Sequence, residues 1–222
     1  MKKILAATAL FLLFSQASYA ETAVGLGIGT LGAKLHFSQS LSEDFSLRLE
    51  YNGANIDTEG EAESTTVVDG IDYDVELELS SFSLLLDWHP FNNTFRFTAG
   101  GLINDNRIRA ESDIGNNDVE IGDQVFTAAQ VGQVRGDITF DSFAPYFGIG
   151  WGRVKKKGFS FVADIGVAFQ GEPEAELESF GGTLSNNQVL LDEIDREEAE
   201  LQEDLDDFEL YPVLSVGFSY TF

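Results

Sequence analysis

The last nine residues, "LSVGFSYTF", set Leu214, Val216, Phe218, Tyr220 and Phe222 at alternate positions, with Ser215, Gly217, Ser219 and Thr221 between them. A period of two sends these sets to opposite faces of an extended strand, one apolar and aromatic, the other small and polar. The same alternation runs through "FSFVADIGVAF", where Phe159, Phe161, Ala163, Ile165, Val167 and Phe169 share a face, and through Phe45, Leu47, Leu49 and Tyr51. With turn residues as punctuation the chain divides into eight strands, at roughly 22–29, 31–39, 45–56, 71–88, 95–109, 138–153, 159–171 and 209–222.

The connections alternate in length. Those at 40–44, 90–94 and 155–158 are short, those at 57–70, 110–137 and 172–208 are long and polar, and the first, at Thr30, is tight. An even strand count with short turns at one end and long loops at the other predicts an all-β fold. That fold is an eight-stranded antiparallel transmembrane β-barrel with long extracellular loops. A soluble sandwich or lipocalin-like barrel would also alternate, and the polar face separates them. It carries Gly25, Gly27, Gly29, Gly100, Gly148, Gly150 and Gly152. Glycine gains nothing on a solvated face, whereas in a crowded lumen it leaves room for Lys34, Arg48 and Arg96. The phenylalanine-rich face then meets lipid, with Trp88, Trp151, Tyr220 and Phe222 as an interfacial girdle. One strand breaks parity: Ile71, Tyr73, Val75, Leu77 and Leu79 share one phase, and Phe82, Leu84, Leu86 and Trp88 the other. A bulge near Ser80 and Ser81 would reconcile them.

Residues 1–20 read as a signal peptide: Lys2 and Lys3 form a charged start, Ile4 to Phe14 an apolar run too short to span a membrane, and Ser18-Tyr19-Ala20 a cleavage site. The expected products are a leader at 1–20 and one barrel domain at 21–222, located in the outer membrane of a Gram-negative bacterium. Loss of two lysines takes the formal net charge from -25 to -27. Such an acidic chain repels nucleic acid and suits cationic partners. Without cysteine it has neither disulfides nor thiolate metal sites.

Gly27-Ile28-Gly29-Thr30-Leu31-Gly32 matches the G-x-G-x-x-G pattern of dinucleotide-binding turns. That pattern needs a strand before it, a helix after it and an acidic residue about twenty positions on. Here "AKLHFSQSL" follows and alternates as a strand, so the nucleotide reading fails.

The stretches "LRLEYNGANI" (47–56), "DGIDYDVELEL" (69–79), "GQVRGDITFDSFAPYFGIGWG" (132–152), "GEPEAEL" (171–177) and "YPVLSVGFSYTF" (211–222) together resemble the CarO-type outer-membrane barrels. The resemblance implies a small eight-stranded barrel associated with uptake of ornithine and other basic amino acids, and with carbapenem passage. It implies no catalytic motif and no binding residue. The expected function is therefore a porin-like channel for passive uptake of small solutes, cationic amino acids such as ornithine first. The alternative is a non-conducting structural or surface-interaction barrel that presents acidic loops.

Lys34, His36, Arg48, Glu50, Asp87, Arg96 and Asp164 are the candidate lumen residues. Eight strands enclose a space just wide enough for side chains to fill. These charges either form a paired plug or line a narrow aqueous path. Asp72, Asp74, Glu76 and Glu78 alternate on one strand, as an acidic extracellular mouth or as a solvated loop stem. In 189–208, Leu190, Ile194, Leu201, Leu205 and Phe208 recur at helical spacing among ten acids and one arginine. That helix is expected either as a lid over the mouth or at rest on the rim or lipid headgroups. No calcium-loop pattern appears, no serine can be placed beside His36 or His89 from spacing, and neither metal, cofactor nor enzymatic activity is expected. The expected partners are outer-membrane lipid and lipopolysaccharide, small cationic solutes, and the barrel-assembly machinery acting on the strand that ends at Phe222.

Overall fold

The computed structural model describes residues 21–62, 71–114, 118–155, 157–205 and 208–222, with the side chains of 59–62, 71–73 and 113 left aside. The expected leader and the side chain of Asp72 lie outside the described residues. The elements in order are β1 (Thr22–Gly29), β2 (Gly32–Ser40), β3 (Phe45–Ala62), β4 (Ile71–Trp88), β5 (Phe95–Asn104), β6 (Arg107–Asp113), β7 (Asp118–Ile121), β8 (Gln124–Thr127), α1 (Ala128–Val131), β9 (Gly132–Thr139), β10 (Phe143–Trp151), β11 (Gly158–Phe169), β12 (Glu174–Gly181), α2 (Gln188–Leu205) and β13 (Leu210–Thr221).

Eight of these strands close an antiparallel barrel in the order β1-β2-β3-β4-β5-β10-β11-β13, with β13 returning to β1. Closure removes every free strand edge from the hydrocarbon, where unpaired backbone groups have no partner. Large apolar side chains such as Leu26, Phe82, Phe147, Phe161 and Phe218 are exposed on the outside. Trp88, Phe95, Phe97 and Trp151 pack in sequence at ring separations of 5.2 to 5.8 Å, and Phe159, Tyr220 and Phe222 form a second cluster. Both clusters lie at the end with the short turns, the end expected to face the periplasm.

Above the barrel the chain builds a folded crown rather than loops. β5 pairs with β4 only at Ser81 to Trp88, and β6 then takes the same edge at Asp72 to Glu78. The expected strand 95–109 is thus two strands, interrupted where Asn106 Oδ1 accepts the Ser80 N–H at 2.9 Å. The expected strand 138–153 also divides, its start belonging to β9 and its remainder to β10. β9 pairs with β6 and β12 with β9, which extends the sheet away from the barrel.

The expected bulge is absent. Register between β3 and β4 runs unbroken from Phe45↔Trp88 to Ala62↔Ile71. Parity changes because the surroundings change. In the barrel the outward face meets lipid and is apolar, whereas in the crown the outward face meets water and carries Asp74, Glu76 and Glu78. The inner phase, polar at Ser81 and Ser83, becomes apolar at Leu79 and Leu77.

The crown has its own core of Ile114, Val119, Ile121, Phe126, Val131, Leu190 and Ile194. Asn187 caps α2 through its side-chain oxygen, which accepts the Val189 N–H at 3.0 Å. Glu198 and Gln202, one turn apart, accept the Leu177 and Ala175 N–H groups at 2.8 and 3.1 Å, so the helix seals the free edge of β12. The segment expected as a lid or a rim helix is docked on the crown sheet.

Glu193 is buried and accepts from the Asp123 N–H at 3.0 Å, the Gln124 amide at 2.7 Å and Arg196 at 2.6 Å. The Asp123 backbone N–H, first among these, holds its carboxyl below the usual carboxylate range. A lowered pKa contributes stability that is present above the unfolded value and lost as pH falls through the folded one. Amide exchange at Asp123, corrected for intrinsic rate, is expected to accelerate once pH drops below about 4. Glu193→Gln should abolish that acid dependence.

Candidate functional site

Lumen geometry follows from alternation: every second residue of β2, β3, β4, β5 and β11 points inward, which brings Lys34, Arg48, Asp87, Arg96 and Asp164 to one level. All seven lumen residues expected from the sequence are buried, each no more than 7% exposed. Glycines across the wall make the convergence possible. A Cβ at Gly150 would lie 2.8 Å from Asp164 Oδ1 and 3.0 Å from Arg96 Cζ, and one at Gly25 would overlap the His36 ring.

Asp164 is the hub. Its Oδ2 accepts from Lys34 Nζ at 3.0 Å and Arg48 Nη1 at 3.0 Å, and its Oδ1 accepts from Arg96 Nη2 at 2.6 Å. Arg48 also reaches Glu50 at 2.9 Å and Asp87 at 3.1 Å, while Lys34 lies 3.6 Å from Glu50. Asp87 takes a further bond from Thr98 at 2.7 Å, and Ser215 bridges Lys34 to Asp164. Lys34, Arg48 and Arg96 thus face Glu50, Asp87 and Asp164, and the cluster is neutral. In a low-dielectric interior such mutual compensation is what permits seven ionisable groups, His36 included, to stay inside.

A second, apolar layer lies toward the crown: Leu31, Leu85, Leu102, Ala144, Tyr146, Ala168 and Val213. Leu31 comes from the tight β1–β2 turn, pinned to β13 by Thr30, whose hydroxyl donates to the Pro212 carbonyl at 3.0 Å and accepts the Leu214 N–H at 3.1 Å. Sequence reasoning overlooked this layer although the phase was visible, since Leu85 shares parity with Ser83 and Asp87, and Leu102 with Arg96 and Thr98. Two voids of about 20 Å³ flank the ion cluster, one toward the apolar layer beside Tyr146 and one lined by His36. Each has room for about one water, and the ionisable groups beside them are almost wholly buried.

Of the four acids expected as a mouth or a solvated loop stem, Asp74, Glu76 and Glu78 have described side chains. Asp74, Glu76 and Glu78 lie on the outer face of the crown sheet, because they share phase with the lipid-facing residues below them. Opposite Glu76 and Glu78 β6 presents Arg109 and Arg107, and opposite Asp74 it presents Glu111. Arg109 lies 3.9 Å from Glu76 and 3.1 Å from Asp137, and Arg135 lies 2.7 Å from Glu111, so the acids belong to a cross-strand charge ladder. His89, at the periplasmic rim, has Nε2 3.1 Å from the Gly152 carbonyl oxygen. Among the described residues no group of three or more His, Cys, Asp or Glu is arranged to hold a metal ion.

No family model and no curated protein matches the chain. Among the solved structures that do are two from Acinetobacter baumannii. CarO2 superimposes with a TM-score of 0.59 at 22% identity, covering 91% of this chain and 98% of its own. CarO superimposes with a TM-score of 0.56 at 20% identity, covering 90% and 97%. The chain has the CarO-type fold. What it shares with both is an eight-stranded antiparallel closed barrel, here with an apolar, aromatic exterior.

The apolar layer of this CarO-type barrel should be sensitive to truncation. Leu102→Ala is expected to cost about 2–5 kcal/mol, measured by urea unfolding from phospholipid vesicles, whereas Leu102→Met should cost less than about 1.5 kcal/mol.

Proposed function

We propose that this protein is an outer-membrane channel for small solutes, shut at rest by the lumen ion-pair cluster and opened by its rearrangement, with cationic amino acids such as ornithine favoured. The observation that carries the proposal is the position of Lys34. An alkylammonium shared between Asp164 and Glu50 is chemically what ornithine presents at its side chain, so an incoming solute can replace it without altering the charge of the cluster. A barrel that needs only to be filled is served as well by apolar side chains, which this chain uses one level higher. Retaining exchangeable charges at mid-lumen supports passage over mere filling. The acidic excess of the crown raises the local concentration of cations at the outer end.

The two closed layers favour a second reading, a non-conducting barrel that displays the crown. The two readings part in planar bilayers. The channel reading expects brief, small, cation-selective openings that ornithine perturbs. The Lys34→Ala, Glu50→Ala double variant, which removes one charge of each sign, should lengthen those openings and raise conductance several-fold. Silence from both folded proteins, with liposomes that exclude ornithine, would leave the display reading.

A further inference from the structure

The crown sheet has two edges, and the chain treats them differently. At one, α2 meets the N–H groups of β12 with Glu198 and Gln202. At the other, β3 outruns its neighbour. β2 begins at Gly32 and its uppermost pair with β3 is Ala33↔Gly53, whereas β3 continues to Ala62. From Ala54 to Ala62 β3 pairs with β4, and among the described residues no strand lies on its other side. A bare edge of this kind is a template for another strand, and native sheets usually cover or blunt it. Residues 54–62 carry neither lysine nor proline.

The bonds lower on β3 fix which groups are bare. Phe45 O accepts the Leu41 N–H at 2.8 Å on the β2 side, and Asp44 O accepts the His89 N–H at 2.8 Å on the β4 side. Antiparallel pairing alternates these directions residue by residue, and the register with β4 is unbroken. Odd-numbered residues of β3 therefore turn their backbone groups toward β2, and above Gly53 the N–H and C=O of Asn55, Asp57, Glu59 and Glu61 lie at the open edge. The side chains of Asn55 and Asp57 share the outer face with Glu78 and Glu76 of β4, their partners in the register. Ala54 and Ile56 share the inner face, and Ile56 is 51% exposed. A hollow of about 670 Å³ lies on the outer side, lined by Asp57, Asp74, Glu76 and Glu111 with Arg109 as the cation among them.

We propose that the upper edge of β3 takes up an extended peptide segment of a partner protein, one in which lysine or arginine alternates with apolar residues. Its backbone completes the ladder at Asn55 and Asp57. Its cations fall on the outer face beside Asp57 and the acidic hollow, and its apolar residues cover Ile56 on the inner face. A second copy of β3 would set acid against acid, so the charge that admits a basic strand rejects self-pairing. The edge stands above the barrel and is available whether or not the lumen conducts.

The test uses full-length mature protein in phosphatidylcholine nanodiscs and the fluorescein-labelled peptide Lys-Val-Lys-Val-Lys-Val-Lys, followed by anisotropy and by amide hydrogen exchange. Without peptide, the amides of Asn55 and Asp57 should exchange fast and those of Ile56 and Thr58, bonded to β4, slowly. The peptide should bind saturably and slow exchange at Asn55 and Asp57. Glutamate in place of every lysine should weaken binding at least about tenfold. N-methylation of the lysine amides, which keeps the charge and removes the edge-facing donors, should abolish it. Asp57→Pro deletes one N–H of the open edge and none that bonds β4, so it should weaken binding at least about tenfold, and more than Asp57→Asn does. If Asp57→Pro does not fold, the N-methylated peptide carries the same test on the unaltered protein. Absence of saturable binding, equal binding of the N-methylated or the glutamate peptide, or Asn55 and Asp57 amides already protected before peptide is added would overturn the proposal.

Discussion

Asp164 holds three cations at once, and the barrel depends on that balance. An eight-stranded barrel has a lumen but no room for a hydrated core, so whatever points inward must satisfy itself. Lys34 and Arg48 from the adjacent strands β2 and β3, and Arg96 from β5, converge on one carboxylate, with Glu50 and Asp87 completing neutrality. Glycines on the facing wall permit the approach. Removal of any one charge would leave its neighbours uncompensated in a space that water cannot fill.

The second constraint is the change of solvent along β3 and β4. One unbroken register passes from lipid to water, and the hydrophobic phase inverts where it does so. This inversion turns a barrel wall into the first two strands of a crown with a separate apolar core. Edge protection follows, because a sheet extended to β12 would end in unpaired N–H groups, and α2 supplies Glu198 and Gln202 to meet them. The acidity of α2 thus has a structural role in addition to its effect on the surface potential.

Strand count, closure and the identity of the seven lumen groups were legible from the sequence, because alternation and glycine placement encode which face is crowded. The crown was not. Residues 107–109 and 138–139 read as ends of barrel strands and 110–137 as a long polar loop, since a change of pairing partner leaves no mark on the alternation. The parity switch at Ser80 and Ser81 was read as a bulge, although a change of environment produces the same pattern with no geometric defect. Asp74, Glu76 and Glu78 looked like a mouth because a line of acids suggests a field. The arginines opposite Glu76 and Glu78 lie some thirty residues on in β6, a distance that local reading does not cross. Leu31 shows the opposite case: a residue in a two-residue turn carries no periodic signal, yet it closes the top of the lumen.

The central claim is that the lumen charges are held by one another. A double-mutant cycle on Arg48 and Asp164, whose Nη1 and Oδ2 lie 3.0 Å apart, tests it most directly. Arg48→Met and Asp164→Leu should each lower the unfolding free energy by about 3–5 kcal/mol, and the double variant by much less than their sum, since neutrality is restored. Costs that add to within about 0.5 kcal/mol would show two independent side chains and contradict the account.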